Sequence, residues 1–205
     1  AVADERADAT LTNDGTTSAY ADATATGSTS ALALAGAIGG EQGPLGTGTY
    51  ATVNNTGSMT ADADAFAFAT TGSADAYAGA VGFGQIAVGS QLADAALTND
   101  GSISGAGHAT ALGTSAAEAN ANVLGAAQVA IAGTTAYATT NNTGSISATG
   151  AAYASATSGP ALAGSISLGF VQAAAGGELG DAYLGNNGGT ISGSADSTAT
   201  GTAAL

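Results

Sequence analysis

Three different short motifs recur along this chain, and they keep one interval. The first is Asn-x-Gly followed by small hydroxyl residues. It stands at Asn13-Asp14-Gly15, Asn55-Thr56-Gly57, Asn99-Asp100-Gly101 and Asn142-Thr143-Gly144, with a fifth copy at Asn186-Asn187-Gly188 or one residue later. The asparagines are 42, 44, 43 and then 44 or 45 residues apart. The second motif, A-x-A-x-A-x-A-x-G-x-x-Q, ends in Gln42, Gln85, Gln128 and Gln172, at intervals of 43, 43 and 44, and its glycine is constant as Gly39, Gly82, Gly125 and Gly169. The third precedes each asparagine, as in Ala7-Asp8-Ala9-Thr10-Leu11 and Ala93-Asp94-Ala95-Ala96-Leu97. Low complexity produces one such coincidence by chance but not three in phase, so the chain is a repeat array of about 43 residues per unit.

Within each unit the small apolar residues alternate with period two, which is the signal of a strand. Alanine favours helices, but Gly, Thr and Ser punctuate every segment and the alanines repeat every two residues rather than every three or four. Aligned copies of the segment after each asparagine show which face is inside. One parity gives uniform rows, Thr17/Met59/Ile103/Ile146/Ile191 and then Ala or Gly at every position but Ser197. The other gives irregular, partly charged rows such as Asp22/Asp64/His108/Ala151/Asp196. Alternate strand residues point to opposite faces, so the uniform rows face inward. The expected fold is all-β: a parallel β-solenoid of roughly three strands per coil with a thin, alanine-lined core. It forms a single repeat domain over 1–205, with a partial coil 1–12, repeats 13–54, 55–98, 99–141 and 142–185, and a partial coil 186–205.

Within this frame Gly15, Gly57, Gly101 and Gly144 are expected to turn the chain through positive φ. Gly39, Gly82, Gly125 and Gly169 are expected to bend it, turning the apolar row Ile38/Val81/Leu124/Leu168 inward; the other reading of that row is an outer contact surface. Stacked Asn13, Asn55, Asn99 and Asn142, and stacked Gln42, Gln85, Gln128 and Gln172, are expected to form two amide ladders along the axis. Phe66, Phe68, Leu112 and Tyr153 fall in outward rows of neighbouring coils, as a lateral contact or as scattered surface residues.

Composition narrows the function. Fifteen acidic residues stand against one basic residue, for a formal charge of −14. Phosphate binding needs Lys and Arg, so neither nucleic acid nor an anionic membrane is an expected partner. No run is apolar enough to span a bilayer, and without cysteine there is no disulfide framework. Ala1-Val2-Ala3-Asp4 reads as a mature end left by signal removal or as an arbitrary start. His108 is the sole histidine, set in an outward row, and reads as solvated. No zinc spacing, phosphate loop or nucleophile elbow is present, so no catalytic residue is assigned and no enzyme is expected. Asp22 and Asp64 share an outward row about 4.8 Å apart; they read as a solvated pair or as a calcium bridge, the one cofactor considered.

The motifs Leu97-Thr98-Asn99-Asp100-Gly101-Ser102-Ile103 and Gly125-Ala126-Ala127-Gln128 resemble the Ala/Gly-rich repeat arrays of bacterial surface proteins, adhesin-like and autotransporter-passenger-like, over nearly the whole chain. The resemblance implies export to the cell surface or beyond, and a fibrous or adhesive role. Because no polar cap is legible at either end and an open strand row templates another, the leading expectation is a filament subunit that stacks head to tail on copies of itself. The alternatives are an adhesin segment that binds a host or matrix glycan and an ice-binding solenoid. The latter is disfavoured because the row Thr24/Phe66/Thr110/Tyr153/Thr198 is interrupted by aromatics.

Overall fold

The computed structural model of the chain describes residues 5–202. The stretch Ala1-Val2-Ala3-Asp4, and the outer limits of the two terminal partial coils, lie outside the described residues. Fourteen strands and no helix follow one another within them: β1 (Arg6–Asn13), β2 (Thr16–Gly27), β3 (Ser30–Ile38), β4 (Glu41–Gln42), β5 (Leu45–Asn55), β6 (Ser58–Ala69) and β7 (Ser73–Asn99), then β8 (Ser102–Gly113), β9 (Ala116–Ala132), β10 (Thr135–Asn142), β11 (Ser145–Ala156), β12 (Ala161–Gly176), β13 (Leu179–Asn186) and β14 (Thr190–Thr200).

Every strand pairing is parallel. One sheet runs in the order β14-β11-β8-β6-β2; the other contains the path β1-β5-β7-β10-β13, with β3 and β4 beside β7 and with β9 between β7 and β12. The pairing register joins equivalent motif positions: Asn13 lies beside Asn55, Asn55 beside Asn99, Asn99 beside Asn142 and Asn142 beside Asn186. The chain is therefore an all-β protein of parallel sheets, consistent with a β-solenoid.

The interior divides into three clusters. In the first, alanines of β6, β8 and β11 meet those of the leading halves of β7 and β9. In the second, the trailing halves of β7 and β9 meet β5 and β10, again through alanine. Between them lie the larger side chains Val53, Met59, Phe83, Leu97, Ile103 and Ile146. A methyl-lined layer fills only if large and small residues compensate across it. Val123 on β9 is such a case: the facing strand β8 carries Gly105 and Gly107, where an added Cβ would come within 2.9 and 2.8 Å of the valine methyls.

The constant glycines act differently from the expectation. Along β7, Ala74, Ala76, Ala78, Ala80 and Gly82 are buried, and after Gly82 burial passes at once to Phe83, Gln85 and Ala87. Gly82 thus reverses the inward parity, and it is Phe83, not Val81, that enters the core. Ile38 is 53% exposed and Leu168 46% exposed, so the row Ile38/Val81/Leu124/Leu168 lies outside, correcting the inward reading. A Cβ on Gly82 would come within 2.5 Å of the Gly125 carbonyl oxygen and 2.7 Å of that of Ser104; the bend presses the backbone against two neighbours at once and leaves no room for a side chain.

The corner glycines are corrected too. Among the described residues only Gly188 has positive φ, at 86°. Gly57, Gly101 and Gly144 are selected by stacking: a Cβ on each would fall on the carbonyl oxygen of Gly15, Gly57 and Gly101 respectively. Gly15, with no strand row beneath it among the described residues, has open space at that position.

Candidate functional site

Asn13, Asn55, Asn99 and Asn142 at the corners, and Gln42, Gln85 and Gln128 beyond the bends, are buried polar groups in an apolar layer, and such groups are costly unless satisfied. The asparagines satisfy one another. Nδ2 of Asn13 donates to Oδ1 of Asn55 at 2.7 Å, Asn55 to Asn99 at 2.7 Å, Asn99 to Asn142 at 2.7 Å and Asn142 to Asn186 at 2.8 Å. Each also donates to a backbone carbonyl of the next strand row, of Ser58, Ser102, Ser145 and Thr190. A carbonyl only accepts, so these contacts fix which way every amide points. All donors face the C-terminal end of the stack.

The glutamines point the other way. Nε2 of Gln85 donates to Gln42 at 3.0 Å, Gln128 to Gln85 at 2.9 Å and Gln172 to Gln128 at 2.7 Å. Their remaining donor capacity reaches carbonyls of the facing strands, among them Thr52, Ala96, Thr139 and Tyr183. The protein thus contains two amide ladders of opposite polarity. At the N-terminal end the ladders present Asn13 Oδ1 and Gln42 Nε2; at the C-terminal end they present Asn186 Nδ2 and Gln172 Oε1. Asn186 is the fifth member that the motif spacing left between two positions.

The outward rows hold the other candidates. Phe68 stacks directly on Leu112, whereas Thr110 separates Phe66 from Tyr153. Phe66, Phe68 and Tyr153 are 37%, 39% and 41% exposed. On the opposite face Ile38, Val81, Leu124 and Ile166 line an apolar trough of about 590 Å³.

Asp22 and Asp64 are register neighbours. Tyr20 donates its hydroxyl to Asp64 Oδ2 at 3.1 Å, and this bond, with the surrounding carboxylates, raises the tyrosine pKa above its ordinary 10.0. Asp64 also lies with Asp62 and His108: one ligand atom from each of the three lies within 4.8 Å of the others. His108 is exposed, as its outward row implies, and has Asp62 and Asp64 as carboxylate neighbours. The signal was present in the outward row, where Asp64 and His108 are adjacent, and in Asp62, two residues before Asp64 on the same face. Arg6, the one basic residue, is engaged elsewhere. Its Nε pairs with Asp8 at 2.8 Å and its guanidinium lies 4.5 Å from the Tyr50 ring centroid.

No helix among the described residues is long and apolar enough to cross a membrane. No protein-family model, curated protein or solved structure matches the chain.

Proposed function

We propose that the chain is a structural, non-catalytic subunit of an extracellular or cell-surface filament. It is built from coils of about 43 residues and three strands, and it extends by adding the end of one copy to the opposite end of the next. The observation that carries this reading is the complementarity of the two ends of the ladders. With the register of the stack continued, the Nδ2 of Asn186 faces the Oδ1 of a second copy's Asn13, and that copy's Gln42 Nε2 faces the Oε1 of Gln172. Both donors meet acceptors, because each ladder keeps a single direction along its whole length. The same register sets β1 of the second copy on β13, β2 on β14 and β3 on β12, and it places Leu11 beside Leu184. Each of these strands has a partner on one side only among the described residues. Parallel edges with unpaired backbone groups recruit further strands, and the stability of stacked repeats is a property of the stack rather than of one unit.

The corner glycine at the N-terminal end supplies the test. Gly15 has nothing within 4 Å of an added Cβ, whereas its counterparts have a carbonyl there. Gly15→Ala therefore leaves the single chain folded but places a methyl group in the junction, against the Gly189 carbonyl of the neighbouring copy. Sedimentation should show concentration-dependent polymers for the parent chain and a folded monomer for the variant. A parent chain that stays monomeric at high concentration, or a variant that polymerises equally well, contradicts end-to-end stacking.

A further inference from the structure

The outward grouping of Asp62, Asp64 and His108 goes beyond the filament reading and does not depend on it. Asp62 and Asp64 sit two residues apart on one face of β6, and His108 sits on β8 in register with Asp64. One carboxylate oxygen from each aspartate and one imidazole nitrogen fall within 4.8 Å of one another, near enough for side-chain rotation to bring all three onto one small cation. Among the described residues no other three such groups converge in this way.

A second observation concerns Asp62 itself. Its Oδ1 is shielded from solvent yet has no hydrogen-bond partner, and a buried acceptor without a partner is costly. Asp64 already accepts from Tyr20 through Oδ2 at 3.1 Å. The sole basic side chain, Arg6, is bonded to Asp8. The grouping thus combines two carboxylates and an imidazole, an orphaned oxygen and no cationic side chain to neutralise it.

We propose that Asp62, Asp64 and His108 bind a divalent first-row transition ion of the zinc type, which ties strands β6 and β8 of neighbouring coils together across the outer surface. The donor set selects the class. Calcium takes six to eight oxygens and makes little use of nitrogen, whereas imidazole with carboxylate suits zinc and its neighbours in the series. Three protein ligands leave a fourth position to water, in keeping with the exposure of His108. This set differs from the Asp22–Asp64 calcium bridge, since Asp22 lies on the other side of Asp64.

His108 is the one histidine of the chain, so a nitrogen-15 imidazole spectrum reports a single residue. Titration of the full chain with zinc chloride should shift one His108 nitrogen to saturation at one ion per chain and raise the melting temperature. Asp62→Asn and His108→Ala should each weaken zinc binding by more than about tenfold, because losing even a group that only orients a metal ligand costs that much. Calcium chloride should leave the imidazole signals in place. An imidazole unmoved by millimolar zinc, or zinc affinity unchanged in His108→Ala, would overturn the assignment. Cation binding that persists in both variants would also overturn it, as it would belong to the acidic surface at large.

Discussion

Asn55 and Asn99 are 44 residues apart in sequence, yet their side-chain amides meet at 2.7 Å inside the protein. The bond runs along the stack, perpendicular to every strand, and it is repeated above and below. Removing an interior member strands two neighbours at once. Asn99→Ala leaves the amide of Asn55 without its side-chain acceptor and the oxygen of Asn142 without its donor, at about 1–3 kcal/mol for each buried group left unpaired. Asn13→Ala, at the end of the ladder, affects one neighbour and should cost less. Urea unfolding of both variants measures the difference; equal effects would show that the ladder contributes nothing as a connected unit.

The compensation between Val123 and the glycines facing it makes a second test. Gly107→Ala should destabilise the fold by about 1–3 kcal/mol, the usual cost of overpacking, because the new methyl lies 2.8 Å from Val123. In the double variant Gly107→Ala, Val123→Ala most of that loss should return, since residues in contact are not additive. A double-mutant cycle with no coupling would mean that β8 and β9 do not pack as described.

Much of this architecture was legible in the repeat. The in-phase Asn and Gln motifs specified which residues stack, and the uniform rows led by Met59, Ile103 and Ile146 specified the inward face, because a period of two leaves no other choice once strands are accepted. What stayed hidden depends on neighbours contributed by other coils. Nothing local in Asn99-Asp100-Gly101 tells whether Gly101 serves the turn or a carbonyl of Gly57 lying against it; both select glycine. The same ambiguity misplaced Ile38 and Val81. A bend at Gly82 was expected, but its direction depends on how closely Ser104 approaches from the facing sheet. Reading each outward row only for uniformity also concealed Asp62, Asp64 and His108, whose proximity comes from two rows together.

Acidity should favour this fold. Burial lifts the carboxyls of Asp75 and Asp94 above their ordinary 3.8, and for Asp75 the neighbouring Glu118 adds to the effect. The folded chain therefore holds these protons at pH values where the unfolded chain has released them. Stability is greatest with both groups protonated, falls as pH rises from 3.8 through the raised folded values, and levels off above them. Melting temperatures measured between about pH 3.5 and 7 should decline across that window. Replacing both aspartates with asparagine should flatten the decline, and a profile that rises with pH would contradict the assignment.

Electron microscopy of the purified chain, with a power spectrum along any fibres that form, tests the central claim most directly. Stacked coils predict long unbranched filaments with a strong axial repeat near 4.8 Å, the spacing of neighbouring strands. Separate short particles at every concentration, or fibres lacking that repeat along their axis, would contradict it.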